Sequence, residues 1–570
     1  MRKKVNLSVL FFLFLSTKAQ EVAPARFQIL NPKWEEMESL FVLAIWVLLT
    51  GLVKVFLTKI KPVVKIVPDS AMQIILGIGL AGLFAILGLD RRFYVFDSYT
   101  FFAFLLPPII FDAGYFMPNR AFFENFDSIM SFAVVGTVFN TFAIGGSLAL
   151  LNHFDWFSVK SSTSEIFLFA SLISAVDPVE LNVNKMLFVT VFGEALFNDA
   201  ISVVLYGIFK SFTVASDSLE AGQLFLGFIA FFVVAFGGVV VGITSAALSA
   251  LATKITGETP IIAPLLALVV PYIGYILSEV ISFSSIIAAA VCGMAMKQYV
   301  KSNMDQPGVE TVRCTTRILA ISSETATFLL LGLATISVDH HWDTVFVCST
   351  VLFCLVYRVV AILVLSLLLK ITRGNQISLV NRMIICYGGL RGPIAFGLVV
   401  SMPAFIVGKS MFTTAVLAVI FFSVILQGTT IRPLLSWLKV ERDEVSTETV
   451  TSVMQSESLD YAISGIESIA GTRTHQRINQ LFERVNSKFL RPVLTRNTRK
   501  LDHEEEKIAR TVRKVVLQEA INEESSNQWE MREMKDSESK IKSLEKLLGP
   551  ENVQLLHNVL HSMSKAPPTS

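Results

Sequence analysis

Between Gly193 and Tyr206 the chain reads GEALFNDAISVVLY, an oily stretch interrupted by Glu194, Asn198 and Asp199. Carboxylate and amide oxygens are hard ligands, suited to an alkali cation or a proton rather than to a soft metal. An ionisable side chain in the bilayer core costs roughly 2.5–3.5 kcal/mol on insertion scales. Glu194 and Asp199 therefore need partners, water or a cargo. Asp177, in SLISAVDPVE on the preceding run, adds a third acid, and Arg358 in FCLVYRVVAI and Arg391 in YGGLRGPIAF add two bases. Acids and bases in nearly equal number point to one buried polar centre. The rival reading is that they only tie helices together through ion pairs and hydrogen bonds.

The elements that hold these residues have their own signals. Pro178 has no N–H and its ring collides with the carbonyl of Ser174, so a helix must break beside Asp177. Gly388, Gly389, Gly392 and Pro393 do the same around Arg391. Unpaired peptide groups are tolerated in a membrane only where they are buried in protein or line a cavity. Two broken helices of opposite charge, in corresponding halves of a chain, are the pattern of secondary transporters with an ion site near the midplane.

Composition sets the class. Of 570 residues 53% are hydrophobic and 16% charged, against about 25% charged in soluble domains. The fold class expected is an all-α membrane protein with a helical cytosolic tail. About thirteen apolar runs lie between residues 39 and 438, taking about 20 residues as one crossing. The fifth covers 164–181, the sixth 186–209, the eleventh 344–370 and the twelfth 380–401. A net charge of +2, without basic stretches interleaved with aromatics, argues against a nucleic-acid partner. Five scattered cysteines rule out a zinc module or a disulfide framework as leading ideas. No Ser-His-Asp, Cys-His or phosphate-loop arrangement suggests an enzyme, and no filter-like segment suggests a channel.

Residues 1–19, with Arg2, Lys3 and Lys4 ahead of LSVLFFLFLS, read as a secretory signal peptide cut after Ala19; the alternative is an uncleaved anchor. Residues 20–38 would then be extracellular. Lysines and arginines, Arg313 and Arg317 among them, concentrate in alternate loops. By the positive-inside rule this puts the N-terminus outside and the C-terminus in the cytosol. After Leu438 the chain turns polar, giving juxtamembrane helices over 439–500 and a distal tail over 501–570.

The segments FLLPPIIFDAGYFMPNR, AVVGTVFN, SAVDPV, FGEALFNDAISVVLY, SSETATFLLLG and YGGLRGPIAF, in this order, resemble animal sodium/proton exchangers of the plasma-membrane type. The resemblance implies inverted repeats, two broken helices crossing near the midplane, and a homodimer. It implies no cofactor beyond the transported Na⁺ and H⁺. Asp199 then matches the cation- and proton-binding carboxylate, Asn198 its stabilising neighbour, and Asp177 with Pro178 the broken-helix pair completing the site. Glu194 and Arg358 match a structural ion pair, and Arg391 a charge balancing the second break. Glu279 and Glu324 match further intramembrane acids tied to transport and inhibitor response. Phe101, Phe102, Leu105 and Leu106 match an outer vestibule for amiloride-type compounds. With Asn198 where a second acid would stand, one proton trades for one sodium ion, which implies electroneutral exchange.

One departure bears on transport. Relatives continue from Ala-Val-Asp-Pro-Val through about seven more apolar residues, roughly 10 Å of helix at 1.5 Å per residue. Here Val179 is followed at once by Glu180 and Leu181-Asn182-Val183-Asn184. An alternative exon boundary or a gene-prediction error is one cause, and an inactive isoform another. Ala195, Phe197 and Pro393 are smaller departures.

In the tail, an apolar stripe of Leu459, Ile463, Ile466 and Ala470 has helical spacing. Residues 446–471 resemble the segment lying in the groove of a calcineurin B-like EF-hand protein, the alternative being a helix packed on the chain's own tail. A basic stripe over 473–500, including Lys488, Arg491 and Arg496, would attract anionic phospholipids at about 1 kcal/mol per well-placed cation, or remain a solvated face.

Overall fold

Apolar runs of span length, free of interior glycine–proline breaks, become single helices. The computed structural model describes residues 34–59, 67–88, 98–178, 184–215, 221–256, 259–337, 339–373, 378–438 and 485–496. Its elements in chain order are α1 (Trp34–Lys59), α2 (Asp69–Ile86), α3 (Ser98–Phe116), α4 (Phe126–His153), α5 (Thr163–Ile173), β1 (Asp177–Pro178), α6 (Lys185–Ala215), α7 (Ala221–Ile255), α8 (Ala263–Val280), α9 (Ser285–Asn303), α10 (Gln306–Ser337), α11 (Thr344–Arg373), α12 (Leu379–Tyr387), β2 (Gly389–Leu390), α13 (Pro393–Val400) and α14 (Lys409–Trp437). Among the described residues nine helices are long and apolar enough to cross a membrane: α2, α3, α4, α6, α7, α8, α10, α11 and α14. The other four expected runs fall on α1, α9 and two interrupted segments, α5–β1 and α12–β2–α13.

The chain forms two compact units. The first contains residues 1–246, 268–297 and 310–457, and its described part holds every residue singled out above for ion chemistry. Its core is a continuous cluster that includes Phe169, Phe346, Phe396 and Phe412. Arg317, read from sequence as a loop charge, lies inside α10, because that helix starts eleven residues earlier, at Gln306.

A π turn over Phe101–Leu105 shows how local sequence sets local structure. Leu106 N–H reaches back to Phe101 O, skipping Phe102, and Pro107 has no N–H to offer Ala103. Both freed carbonyls find hydroxyls on α8: Tyr275 donates to Phe102 O at 2.7 Å and Tyr272 to Ala103 O at 3.0 Å. Freed carbonyls inside an apolar span need such partners.

Loops assigned by charge to one side meet. Ser158 N–H donates to Asp343 Oδ2 at 2.6 Å, and Phe346 N–H donates to Asp343 Oδ1 at 3.0 Å. Asp343 thus caps the first turn of α11.

The second unit contains residues 247–267, 298–309 and 458–570. Within it Asn303 Nδ2 donates to Ala250 O at 2.9 Å and to Leu494 O at 2.8 Å, and Arg496 N–H donates to Asn303 Oδ1 at 2.8 Å. Lys254 Nζ donates to Val493 O at 2.7 Å. Of the expected basic stripe, these contacts concern 485–496 alone. The expected EF-hand segment 446–471, the signal peptide 1–19 and the distal tail 501–570 lie outside the described residues.

Candidate ion-binding crossing

Helix α6 presents Glu194, Asn198 and Ser202 four residues apart, hence on one face, with Asp199 one position farther round. It is the most buried of the nine long helices. Glu194, Asn198 and Ser202 are enclosed, and Asp199 is only 8% exposed. Phe197, a departure from the resembling pattern, stacks on Phe122 with ring centroids 5.7 Å apart.

The two interruptions meet beside this face. Helix α5 opens with a capping box, in which Glu165 N–H donates to Ser162 Oγ at 3.3 Å and Ser162 N–H donates to Glu165 Oε2 at 3.0 Å. It stops at Ile173, one residue before the carbonyl that Pro178 cannot serve. The extended residues then pair antiparallel with those between α12 and α13: Asp177 lies opposite Leu390, and Pro178 opposite Gly389. Pro393 opens α13 with a ring already shaped for a first helical turn.

Unwinding frees peptide groups, and side chains take them up. Val176 N–H donates to Asn198 Oδ1 at 3.2 Å, and Ser202 Oγ donates to the same oxygen at 3.4 Å. Arg391 Nη1 donates to Ala175 O at 2.8 Å, and Arg391 N–H donates to Ser423 Oγ at 3.1 Å. The guanidinium therefore stands at the carbonyl end of α5, where the helix dipole favours a cation. Arg358 Nη1 donates to Glu194 Oε1, and Arg358 Nη2 donates to Ile385 O at 3.2 Å. The five ionisable residues read as one buried polar centre thus belong to the two interrupted segments or to the helices packed on them.

Glycines permit the close approach. A Cβ on Gly392 would sit 2.9 Å from Asp177 Cβ, Cγ and Oδ2. A Cβ on Gly389 would sit 2.9 Å from Arg358 Nε and 3.1 Å from Val176 Cγ1. Gly388 closes α12, its N–H donating to Ile384 O at 2.7 Å. Gly392→Ala is expected to displace the Asp177 carboxylate, since overpacking a tight contact costs about 1–3 kcal/mol. Sodium uptake by reconstituted protein should fall about tenfold or more. Gly146→Ala, where an added methyl meets nothing within 4 Å, should leave uptake unchanged. Equal uptake by the two variants would show that the contact does not matter.

An acid held in an unwound helical crossing, with backbone dipoles arranged around it, is a place for a small cation. Residues 37–437 match the sodium/hydrogen exchanger, transmembrane, family. The chain belongs to that family. It is an antiporter, a secondary transporter rather than an enzyme. It is 46% identical over 523 residues to the probable Na⁺/H⁺ antiporter nhx-9 of Caenorhabditis elegans, covering 90% of this chain and 78% of that one. It is 37% identical over 485 residues to human sodium/hydrogen exchanger 3, covering 83% of this chain and 58% of that one. The chain thus spans little more than half of that vertebrate relative. The fold resembles that of the sodium proton antiporter MjNhaP1 from Methanocaldococcus jannaschii, with a TM-score of 0.52 at 16% identity, covering 71% of this chain and 98% of that one.

Other sequence-selected residues of this exchanger lie elsewhere. Glu279 and Glu324 are exposed on α8 and α10, and Glu279 Oε2 accepts from Ser285 Oγ at 2.7 Å. Phe101 and Leu106 are fully buried, with Phe101 packed over Gly397, while Phe102 and Leu105 are half-buried. None of these four lines the apolar cavity of about 330 Å³ beside them, whose walls include Phe104, Pro107, Phe111, Tyr272 and Tyr275. The sequence reading passed over Asp112 in the quoted FLLPPIIFDAGYF. It is a buried carboxylate whose Oδ2 accepts from Arg317 Nη1 at 2.8 Å. An acid inside an apolar run was the signal that could have found it.

Proposed function

We propose that the protein exchanges one Na⁺ for one H⁺ across the plasma membrane by alternating access, extruding acid and so regulating cytosolic pH and cell volume. The observation that carries this reading is the single acid at the Asn198–Asp199 pair. Asn198 is an amide already committed to Val176 N–H and Ser202 Oγ, which leaves Asp199 as the titrating member of the pair. A carboxylate that holds either a sodium ion or a proton carries the same neutralised charge in both states, so each half-cycle moves no net charge. Asp177 and freed carbonyls of the crossing complete a set of hard oxygen ligands. The pairing of two interrupted segments fits inverted repeats rocking around a fixed site, with thirteen crossings, the N-terminus outside and the C-terminus in the cytosol. A homodimer, an EF-hand partner on 446–471 and anionic lipid at the basic stripe complete the proposal.

A second reading has its own support. The twelfth run resumes as the eight-residue α13 after its break, whereas only five residues, 179–183, separate Pro178 from Asn184. Five residues of helix rise about 7.5 Å, too little for a matching half-helix. A chain so shortened would be a transport-defective form acting as a membrane scaffold. A third alternative, an organellar exchanger of K⁺ and Na⁺, differs in ion preference and location. Proteoliposomes decide among them. Exchange predicts collapse of an imposed pH gradient on adding Na⁺, without dependence on membrane voltage. The scaffold reading predicts no collapse until about seven apolar residues are inserted after Val179. Collapse driven better by K⁺ would favour the organellar reading.

A further inference from the structure

Helix α4 buries a stripe of Thr137, Asn140, Thr141, Ile144, Gly145 and Leu148, spaced as one helical face. Most of it has an evident packing role. Gly145 lets Phe167 and Ala170 of α5 approach, since an added Cβ would lie 2.6 Å from Phe167 Cδ1 and 3.2 Å from the Ala170 methyl. One turn along, Thr141 Oγ1 donates to Ser174 Oγ at 3.1 Å. These two contacts align α4 and α5 antiparallel, four residues against four. Asn140 therefore stands level with Ser174 and Ala175, where α5 unwinds toward Asp177.

Asn140 is 1% exposed, and neither its oxygen nor its nitrogen meets a partner among the described residues. The same holds for Asn198 Nδ2, on the amide whose oxygen accepts from Val176 N–H in the unwound stretch. An unpaired buried carboxamide costs about 1–3 kcal/mol, and leucine, its near isostere, would avoid that cost. Bare sodium would satisfy the oxygen but face the N–H₂ unfavourably. Water accepts from one atom of the carboxamide and donates to the other, and buried waters typically join two to four such groups.

We propose that Asn140 is a positioning residue of the cation site, its carboxamide holding water that completes the oxygen shell around sodium beside Asp177 and Asp199. The inference rests on the exchange reading. It deepens it by assigning α4 a part in cation binding, through hydration rather than through a charged ligand.

The test is Asn140→Leu in the full chain, read as sodium-dependent exchange in proteoliposomes and as the melting-temperature rise that Na⁺ gives the purified protein in detergent. The expected result is a rise of about three- to tenfold in the KM for sodium, with the maximal rate nearly unchanged and the sodium-induced stabilisation diminished. An amide with no part in the site predicts an unaltered KM and an undiminished sodium-induced stabilisation, which would overturn the proposal. Should the leucine variant not be recovered folded, Asn140→Thr and Asn140→Val give the same comparison between isosteric side chains with and without a water-binding hydroxyl. Equal KM values for that pair would also overturn it. Absence of exchange by the unmutated chain would instead count against the exchange reading, and the sodium-linked melting shift would then decide on Asn140.

Discussion

Asp199→Asn is expected to abolish sodium-dependent recovery from an acid load in cells lacking other exchangers, while the amount of protein at the cell surface stays the same. The substitution preserves volume and leaves an amide beside Asn198, so folding has little reason to change. It removes the one group of the pair able to bind and release a proton. Deleting a positioned proton-transfer group commonly lowers rates on the order of 10²-fold or more. Here no alternative acid lies in the pair, because Asn198 is already an amide and is engaged by Val176 and Ser202. Asp177 remains, but it sits half-buried on the extended strand across from Leu390, outside the Asn198–Asp199 pair. Undiminished recovery in the variant, at equal surface amount, would remove Asp199 from the mechanism.

The crossing was legible in part because its signals are local. Pro178 and the Gly388–Pro393 cluster break helices by backbone chemistry that acts within one turn, and charges in apolar runs stand out wherever they occur. Glu194 and Arg358, two such charges, form an ion pair. Which strand lies opposite which, by contrast, is a tertiary fact. Nothing local says that Asp177 faces Leu390, or that Arg391 spends its guanidinium on the Ala175 carbonyl rather than on an acid. Local reading also mistakes neighbours in sequence for neighbours in space. The π turn at Phe101 hands its freed carbonyls to tyrosines about 170 residues later, and the same tyrosines join Phe104, Pro107 and Phe111 of the linear motif in lining the adjacent cavity. Asn140 and Asp112 escaped for different reasons. A single amide in an apolar helix is common enough to pass as packing, whereas Asp112 was hidden inside a motif chosen for its prolines.

The second large effect concerns the pair that frames the site. Arg358→Gln leaves Glu194 enclosed, with almost no solvent reaching either side chain of the original pair. Removing one partner of a buried ion pair costs about 3–5 kcal/mol, whereas replacing both with neutral residues of similar size is often nearly neutral. The arginine does more than balance charge. It donates to Ile385 O at 3.2 Å, on the last turns of α12, and it fills the space that Gly389 leaves open. The single variants Glu194→Gln and Arg358→Gln should each lose most surface protein and melt at markedly lower temperature. The double variant should recover much of the melting temperature, because two amides can bond to each other without a stranded charge. Its transport should recover less fully, since the link from α11 to the end of α12 is weakened and that helix leads into the strand opposite Asp177. Melting temperature and sodium uptake, measured on all four proteins, separate the two contributions. A single variant as stable as the parent would show that the pair does not hold the fold. Full recovery of both stability and uptake in the double variant would show that charge balance alone was required.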